Sequence, residues 1–479
     1  MTLQLRIPGL ILAVAAALFA VGCNVGPRYV RPQVTAPPAY RGADEAAVSS
    51  NAANSLGDQQ WSAIFREPEL QDLIRTALAN NLDLRIAARR VLESAAQLRV
   101  TRSQQFPQVS IGGTGIGAHL ESDPFGGSLS NPIAAGSLSL SASWTPDFWG
   151  LYRNQTEAAR NQLLAQEWAQ RAVRLSLVEQ VATTYIEIRA LDRQLEIARE
   201  AAKVRESSVE LTRALEKSGN SPLSDVRQAE ELLYTATAQI PQIQQQIQQD
   251  ENAMRLLLGQ EPGPVAHNAP NVLAPVPQDL PIGLPSQLLE RRPDIQQAEA
   301  QLKAANAQIG VARAQIGVAR AQFFPQLSIN ASGGVSGSTL SDLFSTSGGT
   351  VYGLGSLTQP IFQGGKLRGQ LELSKQQKEE MILSYQKTIL GAFRDVSNSL
   401  IAVNKQRSTR EEQEKLVAAA QDATRLARIR YEGGSTSYLE VLTTDSSLFT
   451  AQLNLVTAQQ NEALTLVQLY GALGGGWQQ

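Results

Sequence analysis

The chain is poor in the residues that most catalytic and metal sites require. Its 479 residues include two histidines, His119 and His267, and one cysteine, Cys23. A zinc site of His and Cys ligands, or a Cys–His nucleophile pair, therefore cannot be built within one chain. The formal net charge of −2 offers no basic surface for nucleic acid. Catalysis through carboxylates stays open as an alternative, but no motif indicates it. We expect no catalytic residue, no metal, no cofactor and no nucleic-acid partner.

Long apolar runs are missing beyond the N-terminus. Residues 7–21 are apolar but too few to span a bilayer, which is typical of the hydrophobic part of a signal peptide. The run ends in Ala20-Val21-Gly22-Cys23, which resembles the box at which bacterial lipoprotein precursors are cut, although Ala20 stands where leucine is usual. The sequence predicts a signal peptide over 1–22. The resemblance implies diacylglycerol and an N-acyl chain on Cys23, and the alternative is an unmodified buried thiol.

The composition of the chain is typical of long helices. Between Tyr152 and Lys217 there is neither proline nor glycine, and apolar residues recur at alternating spacings of four and three, as in a coiled coil. A Gly and a Pro over 218–222 predict the end of this helix and the start of a returning one. The same pattern recurs over 366–473, with a turn at 433–435. We therefore predict two long helical hairpins, over about 150–258 and about 365–473.

Two other segments alternate polar and apolar residues, as strands with two different faces do. They lie at about 106–147 and about 324–361, and each predicts a β-hairpin. Four strands of this length suit a bilayer but cannot close into a barrel, so several chains would have to pool their strands. The alternative is a small soluble sheet that caps a helical bundle.

The second half of the chain repeats the first. Ser218-Gly219 corresponds to Gly433-Gly434, and Leu258-Gly259 to Leu473-Gly474, each at an offset of 215 residues. The repeat predicts a first unit over 61–260 and a second over 286–479. A segment rich in Pro, Ala and Ser with little periodicity predicts an extended tether over 23–60, and a Pro-rich segment predicts a linker over 261–285.

The second repeat also carries a tandem heptad. The seven residues of 307–313 recur verbatim as 314–320. We predict that the extra heptad lengthens a helix by about two turns at its end near Pro293.

A series of short motifs resembles the outer membrane factors of the TolC superfamily, in particular the NodT-type efflux outer membrane lipoproteins. The resemblance covers the chain from about Cys23 onwards. Its motifs are Trp61 with Phe65, Pro68 and Leu70; Ala77-Leu78 with Asn80-Asn81; Phe106-Pro107; Trp144 with Asp147-Phe148-Trp149-Gly150; Pro360-Ile361-Phe362 with Gly364-Gly365; Arg430-Tyr431 with Gly434; Tyr438-Leu439-Glu440-Val441-Leu442; and Ala472-Leu473-Gly474-Gly475-Gly476-Trp477.

The resemblance implies a mainly α fold with a small β part, in which a homotrimer pools four strands per chain into a twelve-stranded β-barrel in the outer membrane. Long coiled-coil helices would form a periplasmic α-barrel, with an equatorial collar near the linker. The implied function is passive conduction of drugs or other small solutes from an inner-membrane pump, of RND or similar type, and a periplasmic adaptor. The alternatives are a channel for type I protein secretion and a lipid-anchored coiled-coil structural or adaptor protein.

The resemblance places the functional residues at the two tight turns. Gly219, Ser221, Gly434 and Ser435 would contact the adaptor, and both glycines are also predicted helix C-caps. The candidate gate residues are Asp225, Leu439, Glu440, Thr443 and Asp445, with Arg227 as a possible counter-charge. Asp445 lies two residues from the family's usual aspartate, and no arginine follows it, so the alternative for Asp445 is an ordinary solvated helix residue.

Overall fold

The computed structural model describes residues 29–43, 55–118, 133–148, 150–267, 277, 280–306, 326–337, 349–358 and 361–477. The signal peptide, Cys23 and the tandem heptad over 307–320 lie outside the described residues. Within the described part, no helix combines the length and the apolar character needed to cross a membrane.

The described residues are mainly helical. The helices, in chain order, are α1 Trp61–Ile64, α2 Pro68–Asn80, α3 Leu82–Ser103, α4 Leu151–Lys217, α5 Leu223–Leu257, α6 Pro285–Arg291, α7 over 293–306, α8 Lys366–Glu432 and α9 Tyr438–Ala472. The sheet is formed by β1 Gln108–Ala118, β2 Ile133–Trp144, β3 Gln326–Gly337 and β4 Gly349–Thr358.

The four strands form one antiparallel sheet in the order β1-β2-β3-β4. On one face, Ile111 pairs with Leu140, and their exposed fractions are 72% and 55%. On the other face, hydroxyls pair across the strands: Ser110 Oγ lies 2.8 Å from Ser141 Oγ, and a second hydroxyl pair joins Ser328 to Ser356. The alternation in sequence therefore becomes a sheet with an exposed apolar face and a hydroxyl face.

The chain forms two compact units. One contains the described residues of Val91–Gln166, of Ala298–Tyr385 and of the segment before Gln33, and includes the sheet. The other contains Gln33–Arg90, Glu167–Gln297 and Gln386–Gln479, and includes the greater part of the long helices. Each unit takes segments from both sequence halves.

The long helices repeat almost residue for residue. We name α4 with α5 helical hairpin 1, and α8 with α9 helical hairpin 2. Helices α4 and α8 each have 67 residues, and α5 and α9 each have 35. Their starts differ by 366 − 151 = 215 and 438 − 223 = 215, and their ends by the same number. The offset read from the sequence therefore describes both helical hairpins.

The apolar residues at heptad spacing in α4 lie in the core of the second unit. Val181, Ile188 and Ala198, which follow this spacing, are at most 1% exposed. Further along, one cluster of buried residues draws on all four long helices, and so it packs the two helical hairpins against each other near their turns. Its members are Val209, Ala229, Ala427, Tyr438, Val441 and Leu442.

Candidate functional site

The turns of the two helical hairpins have the same backbone geometry. Gly219 and Gly434 have φ angles of +76° and +71°, a region that side chains other than glycine rarely adopt. At the first turn, Gly219 N donates to Glu216 O and Asn220 N donates to Leu215 O, the two bonds of a Schellman cap. Both glycines are therefore the helix caps that the sequence predicts.

The first turn of each returning helix carries a carboxylate that accepts a hydrogen bond from a nearby hydroxyl. Ser221 Oγ donates a hydrogen bond to Asp225 Oδ2 at 2.7 Å, and the Thr436 hydroxyl donates to Glu440. Asp225 and Glu440 occupy equivalent positions, because 440 − 225 = 215. A carboxylate in this place also interacts favourably with the helix N-terminus.

The remaining surface candidates lie beside Glu440. Arg430 Nη1 donates to Glu440 Oε1 at 2.7 Å, which joins the end of α8 to the start of α9. Leu439 is 59% exposed. The Thr443 hydroxyl bonds to the carbonyl of Leu439 in its own helix. Leu439 and Thr443 line a groove of about 720 Å³, together with Ser446 and Thr450 of α9.

Asp445 has a different environment from the other candidates. Its side chain is only 16% exposed, and Arg205 Nε of α4 donates to its Oδ2 at 2.8 Å. Arg428 Nη2 of α8 lies 3.2 Å from Oδ1. Each carboxylate oxygen of Asp445 is therefore paired with an arginine, and the two arginines belong to different helices. Asp445 is therefore no ordinary solvated residue.

Arg205 is the most buried member of this group, with a side chain that is 4% exposed. Its Nη1 donates to the carbonyl of Leu232 in α5, and its guanidinium carbon lies 4.8 Å from the ring centroid of Phe449. Arg205 thus ties α4, α5 and α9 together. We call Arg205, Arg428 and Asp445 the Asp445 network.

Helical hairpin 1 contains equivalents of two members of this network. Glu230 and Arg213 occupy the positions equivalent to Asp445 and Arg428, because 445 − 230 = 215 and 428 − 213 = 215. Arg213 Nη2 lies 2.6 Å from Glu230 Oε1, and Arg227 Nη1 lies 2.7 Å from Oε2. Among the described residues, the ion-pair partners of Glu230 lie in its own hairpin, whereas those of Asp445 lie in both hairpins.

The possible counter-charge Arg227 pairs with Glu230, which is not one of the candidate gate residues. Arg205 and Arg428 were missed. An alignment of the two repeats at an offset of 215 residues places Arg428 opposite Arg213, and this match of two arginines points to Arg428. Arg205 lies opposite Ala420, so the alignment gives no signal for Arg205. Elsewhere in the described residues, no group of three or more His, Cys, Asp or Glu side chains could hold a metal ion.

Comparison with known families gives two matches to one family model. The model described as outer membrane efflux protein matches residues 73–260 and 284–475, so each half of the chain carries one match. Among curated proteins, the chain is 36% identical to the probable efflux pump outer membrane protein TtgC of Pseudomonas putida, over 98% of this chain and 96% of the relative. It is 33% identical to the cation efflux system protein CusC of Escherichia coli, over 98% and 100% of the two chains.

A solved structure with the same fold is the open state of the MtrE outer membrane channel of Neisseria gonorrhoeae. It aligns with a TM-score of 0.80 and 29% identity, over 95% of this chain and 99% of the other. The alignment therefore takes in the sheet and both helical hairpins.

Proposed function

Since the chain belongs to the family of outer membrane efflux proteins, we propose that it is a passive tunnel and that the Asp445 network holds this tunnel closed. The family assignment confirms three predictions: a TolC-like fold, a location in the outer membrane with extension into the periplasm, and a role as the outer membrane channel of efflux systems. The family works as trimers with a periplasmic adaptor and an inner-membrane pump. The relatives are named as efflux-system proteins.

In this proposal the sheet is one third of a twelve-stranded barrel. Strands β1 and β4 are the two edges of the sheet in one chain, and an open edge is costly in lipid. The apolar face that includes Ile111 and Leu140 would face lipid, and the hydroxyl face would line the tunnel. Trp144 and Phe362, which are 39% and 88% exposed, would lie at the membrane boundary.

The observation that carries the gate is the pairing of Asp445 across the two helical hairpins. If the tunnel opens by separation of the hairpins at their turns, the contact between Arg205 and Asp445 must break, because its partners lie on different hairpins. Asp225, Leu439, Glu440 and Thr443 would line the periplasmic mouth. Three symmetric copies of each acidic side chain would make that mouth selective for cations. The turn residues Gly219, Ser221, Gly434 and Ser435 would contact the adaptor.

Planar-bilayer recording of the purified trimer tests this gate. Asp445→Asn removes the charge and keeps the side-chain shape, so we expect a higher single-channel conductance and longer openings. Glu230→Gln at the equivalent position is the matched control, and it should leave conductance unchanged. Trimer mobility on gels before and after heating checks assembly. Equal conductance of the Asp445→Asn trimer and the unmodified protein would reject the gate.

The proposal includes cleavage of the signal peptide over 1–22 and lipidation of Cys23. Support comes from the tether: Arg31 forms an ion pair with Glu299 at 3.0 Å, and Tyr29 donates to the same carboxylate. Tyr29 follows Cys23 by six residues, which reach at most about 21 Å when extended. Fatty-acid labelling should disappear in Cys23→Ser, and labelling that persists would refute the anchor.

The cargo would be chosen by the pump. The relatives bear names that refer to cations and to antibiotic or toluene efflux, although each aligns with nearly all of this chain. A tunnel of one architecture thus serves chemically different cargoes among these relatives. We propose that this chain conducts small solutes without a cargo-specific binding site.

A further inference from the structure

We propose that His267 is a pH-dependent clamp that fastens the start of the linker between the repeats onto helical hairpin 1. His267 Nδ1 lies 2.6 Å from Asp192 Oδ2 on α4, and Nε2 lies 3.4 Å from Glu251 Oε1 on α5. Each ring nitrogen thus faces a carboxylate from a different helix. Only the protonated imidazolium can donate to both, because the neutral ring has one N–H. This clamp is separate from the gate proposed above.

The neighbouring backbone follows the same path. Val265 N donates to Glu251 Oε1 at 3.0 Å, and Arg255 Nε donates to the carbonyl of Glu261 at 3.0 Å. Residues 261–267 therefore run along α5 and are held at both ends of this short segment. The guanidinium of Arg255 stays charged at every pH that a protein meets, so of these two side-chain cations only His267 titrates.

The carboxylates around the clamp explain why its charge matters. Glu187 of α4 and Asp250 of α5 form a further pair of carboxylates between the same two helices. Burial raises the pKa of both Glu187 and Asp250, and the charge of Asp250 raises the pKa of Glu187 further. A neutral His267 would leave Asp192 and Glu251 without the positive charge that now lies between them.

The nearby arginines are engaged elsewhere. Arg193, next to Asp192, lies 2.6 Å from Glu196, and Arg255 Nη1 donates to Gln260 at 2.6 Å. Neither is positioned to replace the imidazolium between α4 and α5. The strength of the clamp therefore depends on the protonation of His267.

The direction of the pH dependence follows from the pKa of His267. The hydrogen bond to Asp192 raises this pKa above its ordinary value of 6.5, although burial opposes the shift. A group with a raised pKa in the folded state contributes its full stabilisation below its ordinary pKa and loses it as the pH rises through the raised value. The clamp should thus be closed at and below the ordinary pKa of histidine and should open as the pH rises through the raised pKa of His267.

A contact of the linker with helical hairpin 2 has no such dependence. Arg407 of α8 donates to the carbonyl of Pro277 at 2.8 Å. Arg407 and Asp192 are equivalent positions, because 407 − 192 = 215. The linker is therefore held at the same level of both helical hairpins, by a titratable contact on one and by a permanently charged side chain on the other.

Hydrogen-exchange mass spectrometry of the full-length trimer in detergent tests the clamp. Protection factors, corrected for the intrinsic effect of pH, are compared at about pH 6 and about pH 9 for peptides within 255–267. We expect protection to fall about tenfold at the higher pH, the effect of one charge-assisted hydrogen bond. His267→Gln should show the low value at both pH values.

Two further variants separate the clamp from general effects of pH. His119→Gln removes the other histidine and should keep the pH profile of the unmodified protein. His267→Arg keeps a positive charge and should abolish the pH dependence. Equal protection of the unmodified protein at both pH values, or an equal fall in His267→Gln, would overturn the proposal.

Discussion

The two helical hairpins have the same backbone and different buried charges. Their helices agree in length to the residue, and both turns are capped by a glycine with positive φ. The charges follow another pattern: Glu230 is bound within helical hairpin 1, whereas Asp445 of helical hairpin 2 reaches Arg205 of the other hairpin. The glycine caps and the apolar heptad positions thus determine the architecture that the two hairpins share. The ion pairs differ between the hairpins and give them different roles.

A second position shows the same divergence. Glu462 of α9 is 2% exposed, its Oε2 lies 2.5 Å from Arg410 Nε, and its Oε1 lies 3.6 Å from Arg407 Nε. The equivalents of Glu462 and Arg410 in helical hairpin 1 are the buried Ile247 and Leu195, because 462 − 247 = 215 and 410 − 195 = 215. An apolar contact in one hairpin is an ion pair in the other. The same packing geometry therefore accepts both solutions.

The largest expected effect comes from breaking this ion pair. Glu462→Ile alone should lower the free energy of unfolding by about 3 kcal/mol, because Arg410 and Arg407 both lose the buried carboxylate that they share, although Arg410 keeps its ion pair with Glu414. Glu462→Ile with Arg410→Leu copies the apolar pair of helical hairpin 1 and should recover most of the loss. Guanidinium unfolding, followed by far-UV circular dichroism, measures both. A double variant as unstable as the single one would show that the hairpins are not interchangeable here.

A smaller effect is expected in the Asp445 network. Arg205→Leu should lower the free energy of unfolding by about 2 kcal/mol, because Asp445 keeps Arg428 but loses its buried partner. The matched control is Arg227→Ala, which removes the second partner of Glu230. Arg227 has a side chain that is 68% exposed, so its loss should change stability little. Comparable losses in the two variants would contradict the distinction between the networks.

The smallest effects should be equal in the two hairpins. Gly219→Ala and Gly434→Ala should each cost about 1–2 kcal/mol, because alanine is strained at positive φ. A Cβ at either position would meet no atom within 4 Å, so backbone strain is the only cost. Gly369→Ala, in open space within α8, is the control and should stabilise the protein slightly. Unequal losses at the two turns would show that one turn has an additional constraint.

Much of the architecture could be predicted from the sequence because it depends on local patterns. Heptad spacing predicted the seam of α4, and alternation predicted the two faces of the sheet. The glycines at 219 and 434 predicted the turns. The offset of 215 predicted that the second hairpin copies the first. Each of these signals acts between residues close in sequence or repeats along the chain.

Less of the candidate site could be predicted from the sequence. Asp445 was found by resemblance, but its partners were not, because Arg205 precedes it by 240 residues and nothing in the local pattern connects them. The contacts of His267 with Asp192 and Glu251 were equally hidden, since a lone histidine in a linker gives no sign of its neighbours.

The sequence by itself determined the helices, the strands, the repeat and the family. Only the tertiary structure decided which charges meet. Helix and strand periodicity depends on backbone geometry that every residue shares, whereas an ion pair depends on the approach of two specific side chains from distant segments. The two helical hairpins illustrate this division, because their equal lengths could be read in the sequence and their different ion pairs could not.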